Sequence, residues 1–145
     1  MKVFIEVSAG TDQRPVYNEK TLEYQKTIKV NSPYPYAYGF LLDTLGGDEK
    51  CLDCYIITSR QLKSGIIVDV EPVGMVEYIE DGQEDNKILA IFPDEDIFVG
   101  SEVEERIRKF NDHYFENRSD KTTSIGRFLG YNEAIAYIDR CKIKK

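Results

Sequence analysis

Residues 2–8 alternate, with Val3, Ile5 and Val7 on one face and Phe4, Glu6 and Ser8 on the other. A period of two predicts a strand with Glu6 projecting from its polar face. Residues 23–30 form a second candidate strand, 54–58 a short apolar run and 87–92 another. Residues 65–79 are a long β-branched stretch interrupted by Pro72 and Gly74. Those two residues predict a bulge or a sharp bend inside a strand. Turn-rich segments at 8–14, 31–35, 46–50 and 80–86 separate the runs.

The period changes in the last third. Ser101-Glu-Val-Glu104 reads as a capping box, S-x-x-E, ahead of Val103, Ile107, Phe110 and Tyr114 at helical spacing. A second helix is expected to start near Asn132, with Ala134, Ile135, Ile138 and Cys141 on its apolar side. Five or more short strands followed by helices predict an α+β domain, mainly β, built on a small, strongly bent barrel. No low-complexity linker, internal repeat or composition break divides the chain, so 1–145 reads as one domain.

Composition narrows the partners. The 145 residues are 41% hydrophobic and 31% charged, as in a folded globule. No apolar run approaches the roughly 20 residues of a membrane span. The opening Met1-Lys2-Val3-Phe4-Ile5-Glu6 lacks the apolar stretch of a signal peptide, so a cytoplasmic chain without a membrane partner is expected. The net charge of −7 opposes a nucleic-acid partner, which usually needs a basic face. It also weighs against an oligonucleotide-binding barrel, although 10 Tyr and 7 Phe would supply stacking surfaces. Cys51, Cys54 and Cys141 are odd in number, so a disulfide framework is not expected. Cys51-Leu-Asp-Cys54 fits C-x-x-C, but it runs into a strand rather than opening a helix. A zinc site would need distant His113 and Cys141 as well. Semi-buried thiols are the simpler reading.

Carboxylates concentrate at three places: Glu6, the segment Gly46-Gly47-Asp48-Glu49-Lys50-Cys51-Leu52-Asp53, and the segment Glu80-Asp81-Gly82-Gln83-Glu84-Asp85-Asn86-Lys87. Clustered acids on loops at strand ends suit hard divalent cations, and they equally suit solvated turns. The third cluster is not an EF-hand, because its acids are not at alternate positions of a 12-residue loop. The aromatic run Tyr34-Pro35-Tyr36-Ala37-Tyr38-Gly39-Phe40 reads first as packing, and second as phenols aimed at an anion.

Taken in order, these segments resemble the soluble, Mg²⁺-dependent (family I) inorganic pyrophosphatases over nearly the whole chain. The anchors are Ile5-Glu6, Tyr34-Pro-x-x-Tyr38-Gly39-Phe40, Asp48 with Asp53, Pro72-Val73-Gly74-Met75, Gly82-x-Glu84-Asp85-x-Lys87-Ile88-Leu89-Ala90, Phe110 with Tyr114, and Gly130. The resemblance implies a five-stranded OB-like barrel with flanking C-terminal helices. It also implies Mg²⁺, or another divalent cation, and hydrolysis of pyrophosphate to two phosphates. Cation-linked carboxylates would be Glu6, Asp48, Asp53, Glu80, Asp81 and Asp85. Phosphate-side positions would be Arg14, Lys26, Tyr38, Lys87 and Tyr114, with Tyr34 in support. A homo-oligomer in the cytoplasm, without nucleic acid or membrane, follows from the same resemblance.

Three positions depart from the family pattern. The signature D-x-D-P-x-D reads Asp48-Glu49-Lys50-Cys51-Leu52-Asp53 here, so Lys50 replaces the middle Asp. In the family that Asp is implicated in activating water. Asp53, Asp48 and, if the loop shifts by one residue, Glu49 are the remaining catalytic candidates. Lys50 brings a positive charge among these acids. At 4 Å and an effective dielectric of 20, each unit-charge pair is worth about 4 kcal/mol. Lys50 is therefore expected to point away, pair with an acid or exclude a cation. Val16 stands where Glu is usual and Phe115 where Lys is usual. Two functions follow: a pyrophosphatase of reduced activity, or a degenerate relative that binds phosphate or metal or serves as an interaction module.

Overall fold

In the computed structural model, residues 1–114 and 123–143 are described. They form β1 (Lys2–Val7), β2 (Gln13–Tyr17), β3 (Tyr24–Lys29), β4 (Ala37–Leu41), β5 (Asp53–Ile56), β6 (Ile67–Asp69), β7 (Glu71–Glu80), β8 (Gln83–Glu84), β9 (Lys87–Ile91), α1 (Ser101–Tyr114), β10 (Thr123–Leu129) and α2 (Tyr131–Cys141). The molecule is mainly β with two helices. Neither helix is long and apolar enough to cross a membrane.

Strand pairing explains the bent barrel. The main sheet runs β10-β7-β9-β5-β4-β1-β6, and β2-β3 form a separate hairpin. β6 and β7 are consecutive, separated only by Val70. One stretch of chain therefore pairs with β1 through its first half and with β9 through its second. The path from β7 round to β6 returns to the same strand, which gives five staves: β1, β4, β5, β9 and the bent β6–β7. The expected irregularity at Pro72 and Gly74 is present as a register shift between them against β9. β5 and β9 run parallel, and their near-continuous apolar sequences fit strands buried on both faces.

Two apolar clusters fill the structure. Val3, Ile5, Leu41, Cys54 and Ile88 pack with Ala134, Tyr137 and Ile138 of α2. Val7, Tyr38, Tyr55, Val76 and Leu89 pack with Val103, Ile107 and Phe110 of α1. The alternation in β1 was a poor guide to exposure, since Val3 through Val7 are all buried. The hairpin covers the second face: Tyr17 meets Phe4 edge-on with ring centroids 4.8 Å apart, and Phe4 stacks on Phe40 at 5.2 Å.

Other expectations need adjustment. β2 starts inside the 8–14 turn segment, and β4 begins inside the aromatic run and ends one residue beyond it. β10 returns to the sheet between the two helices, pairing antiparallel with β7. At α1, Gly100 takes the position before the helix and accepts the Glu104 N–H, so Ser101 is the first helical residue rather than the cap. Cys51, Cys54 and Cys141 are free thiols.

Candidate active site

A cavity of about 770 Å³ opens between the β2–β3 hairpin, one end of the barrel and the last turns of α1. Its wall includes Glu6, Arg14, Tyr34, Tyr38, Asp48, Lys50, Asp53, Glu80, Asp85, Lys87 and Tyr114, drawn from segments more than 100 residues apart.

Backbone irregularity aims Glu6. Ile5 is opposite Gly39 and Val7 is opposite Tyr38, so Glu6 is an extra residue in β1 without a partner in β4. Such a bulge redirects a side chain. Close strand approach needs the glycine, because a Cβ on Gly39 would lie 1.9 Å from the Phe4 carbonyl oxygen. The Glu6 carboxylate is buried, with Arg14 Nη2 3.7 Å from Oε1. Burial raises its pKa to about 7, although Arg14 pulls the other way.

Register places the central ion pair. Asp53 and Lys87 are partners in the parallel β5–β9 ladder. Lys87 Nζ donates to Asp53 Oδ2 at 2.9 Å, to Tyr38 OH at 2.9 Å and to Asp85 Oδ2 at 3.2 Å. Those three bonds use all three donors of the ammonium, which also lies 4.9 Å from the Tyr78 ring centroid. Burial opposes both charges. The Lys87 ammonium and the Tyr38 hydroxyl nevertheless hold Asp53 below the ordinary carboxylate range, while Asp53, Tyr38 and Asp85 hold Lys87 well above its own. Asp85 is less compensated. Burial raises it to about 6 despite Lys87, and Asp53 adds to the rise.

The β7–β8 turn sets Asp85. Asp81 and Gly82 both have positive φ, at 52° and 81°. After the turn, the Asp85 N–H donates to the Tyr78 carbonyl at 2.9 Å, and Asn86 Oδ1 accepts the Tyr78 N–H at 3.1 Å. The 46–50 turn sets Asp48, whose Oδ1 accepts the Lys50 backbone N–H at 3.0 Å. Gly46 N–H closes the turn on the Lys50 carbonyl at 2.8 Å.

The aromatic run both packs and reaches the cavity. The buried Tyr34 ring lies 4.6 Å from Phe110 and 6.4 Å from Tyr114. Arg14 Nη1 donates to Tyr114 OH at 3.2 Å, and its guanidinium carbon is 5.6 Å from the Tyr38 ring centroid. Burial works against the Arg14 charge, yet the surrounding phenols and Glu6 keep it firmly cationic. Arg14 Nε is buried with no hydrogen-bond partner among the described residues. A buried donor left in that state is costly, and an anion oxygen would satisfy it.

The donor set also suits a divalent cation. It consists of hard carboxylate oxygens. The raised Glu6 and Asp85 mark acids whose burial outweighs the positive charge beside them. Among the described residues no three acids, histidines or cysteines already converge as a ligand set. Lys87 occupies the space between Asp53 and Asp85.

The sequence model of the Pyrophosphatase family (inorganic pyrophosphatase) matches residues 3–144. This chain belongs to that family. A curated inorganic pyrophosphatase from Thermoplasma volcanium is 28% identical, covering 99% of this chain and 92% of the relative. The fold matches the inorganic pyrophosphatase structure from Helicobacter pylori with a TM-score of 0.88 at 19% identity, over 97% of this chain and 90% of the other. The Thermus thermophilus inorganic pyrophosphatase structure gives 0.88 at 22% identity, over 97% and 88%.

Against the inorganic pyrophosphatase pattern, some expected positions fall elsewhere. Glu49 is exposed at the turn tip with φ at 63°, away from the cavity wall. Asp81 is exposed in its left-handed turn, while its neighbour Glu80 lines the wall. Lys26 is exposed on β3. An extra residue, Gln25, falls between the Val16–Lys26 and Tyr17–Tyr24 pairs, and Gln25 lines the cavity instead. Val16 lines the wall, leaving an apolar patch where the family pattern has an acid. Lys50 is exposed at the rim, and its charge acts on Glu19. Phe115 lies outside the described residues.

Several wall residues escaped the sequence reading, among them Asn111, Tyr78 and Glu19. Asn111 is buried four residues after Ile107, and a polar side chain on the apolar stripe of α1 was its available signal. Tyr78 sits in a strand already accounted for by its apolar pattern. Glu19 reaches the wall from the β2–β3 turn, and its Oε1 accepts the Cys51 N–H at 2.9 Å. No local pattern announces a contact that spans 32 residues.

Proposed function

We propose that this protein hydrolyses inorganic pyrophosphate to two phosphates in the cavity above, with Mg²⁺ or another divalent cation. The observation that carries the reading is the set Asp53–Lys87–Asp85–Tyr38, facing the bulged Glu6 and the unsatisfied Arg14 Nε, in a chain of this family.

Glu6, Asp48, Asp53, Glu80 and Asp85 are the residues that would hold the cation, with Asp81 at most peripheral. When bound, a divalent cation supplies Lewis-acid charge to phosphoryl oxygens and acidifies water. Everything else falls to the chain. Arg14 offers Nε–H to a phosphate oxygen, and Tyr114, supported by Tyr34, fixes the guanidinium. Lys87 exchanges one of its three present acceptors for phosphate, and Tyr38, whose O–H proton is not used in accepting from Lys87, can donate it. Asp53 remains ionised and is the candidate proton acceptor for attacking water, with Asp48 beside it. Glu6, with its pKa raised by burial to about 7, is partly protonated near neutral pH.

Lys50 removes the acid that the family pattern uses at that point, and loss of a general base costs about 10²–10⁴-fold. We therefore assign a reduced rate. The degenerate-relative alternative is not favoured, because Asp53, Asp85, Lys87 and Tyr38 remain joined in one hydrogen-bonded set despite the change at Lys50. Residues 1–145 form one such domain in this reading. It works as a cytoplasmic homo-oligomer with pyrophosphate and phosphate as its partners. Asp53→Asn tests the assignment: phosphate release should fall at least about 100-fold. Unchanged release would refute the site.

A further inference from the structure

We propose that Glu19 is a positioning residue: by accepting the Cys51 N–H it fastens the β2–β3 hairpin over the loop that bears Asp48, Lys50 and Asp53. The proposal rests on reading the cavity as the pyrophosphate site.

The hairpin wall of the cavity lies outside the main sheet. It forms its own two-stranded sheet, and β3 is exposed along its whole length. Two strands alone are marginal in water. Yet this hairpin carries Arg14, whose guanidinium must stay in place to meet an anion. The end of β2 is anchored by Tyr17, which packs on Phe4 and shares a 2.6 Å hydrogen bond with Ser64. The turn that follows has its form set by Asn18, with Oδ1 accepting the N–H groups of Lys20 at 2.8 Å and Thr21 at 3.0 Å. That turn presents Glu19 to the cavity, where Oε1 takes the Cys51 N–H at 2.9 Å.

Cys51 lies between Lys50 and Leu52, at the point where the turn bearing Asp48 leads into β5 and Asp53. Holding its amide fixes the spacing between the two acids. The bond is charge-assisted and partly buried, the stronger kind of hydrogen bond. Burial raises the Glu19 pKa, and the Lys50 charge works against that rise. The Glu19 carboxylate therefore counters the cation that the loop introduces beside the acids.

Amide hydrogen exchange and calorimetry test this on the full chain without pyrophosphate. In Glu19→Ala, exchange at Cys51 should rise about tenfold or more, and Mg²⁺ affinity should fall several-fold. Glu19→Gln keeps an acceptor oxygen, so it should retain slow Cys51 exchange. In turnover assays, Glu19→Ala should raise KM for pyrophosphate more than it lowers kcat, because Arg14 moves with the hairpin. Cys51 exchange within twofold of wild type in Glu19→Ala overturns the proposal, as does equally fast exchange in Glu19→Gln. If the wild type releases no phosphate, the functional reading fails, while the exchange result still decides the role of Glu19.

Discussion

Asp53 and Lys87 are register partners on adjacent parallel strands, and their side chains meet at 2.9 Å inside the barrel end. The ion pair is thus a consequence of strand register rather than of loop conformation. Its geometry is as rigid as the β5–β9 ladder. Rigidity matters because buried charges pay for their desolvation only when well aligned.

Lys87→Met should expose that dependence. Removing the ammonium leaves Asp53 and Asp85 without their shared partner, at an expected cost of about 3–5 kcal/mol of stability without metal. Urea unfolding measures it. Mg²⁺ should stabilise the variant more than the wild type, because the cation replaces the lost charge.

Gly39→Ala tests whether the strand approach beside Glu6 is obligatory. The added methyl meets the Phe4 carbonyl, and backbone on both sides must yield. A loss of about 3 kcal/mol or more in thermal or urea unfolding is expected. A loss within about 0.5 kcal/mol would mean that the β1–β4 contact relaxes freely.

Glu6 should make the metal-free protein respond to pH in an unusual direction. Its folded pKa of about 7 lies above the unfolded value of 4.5, so the folded state binds the proton more tightly. That contribution favours folding below pH 4.5 and is lost as pH rises to about 7. The change is about 3 kcal/mol at this site. Glu6→Gln should flatten this part of the profile in metal-free unfolding, and Mg²⁺ should offset the loss near neutral pH.

The fold was legible wherever one period dominated. β1 follows from alternation, β9 from an apolar run and both helices from helical spacing, β3 falls on a candidate strand, and Pro72 with Gly74 announced the irregularity in β7. β2, β4 and β10 were missed because turn residues, tyrosines or a glycine interrupt them, and neighbouring strands decide their pairing. In the site, Glu6, Asp53, Asp85, Lys87 and Arg14 were singled out through the family resemblance, and all five line the cavity. Lys26 and Gln25 exchanged places because one extra residue in β3 rotates the facing side chain. Glu19 depends on a contact that exists only after folding.

Lys50→Asp probes the departure at the centre of the acidic loop. Lys50 is exposed at the rim and is not needed for packing, so the variant should fold normally. Restoring an acid beside Asp48 and Asp53 should raise phosphate release at least about tenfold. An unchanged rate would mean that another group already serves as base.

The most direct measurement is phosphate release from pyrophosphate by the wild-type protein across a Mg²⁺ titration. The account predicts turnover above background that requires the cation and disappears in Asp53→Asn. A folded protein that releases no phosphate above background at saturating Mg²⁺ would contradict it.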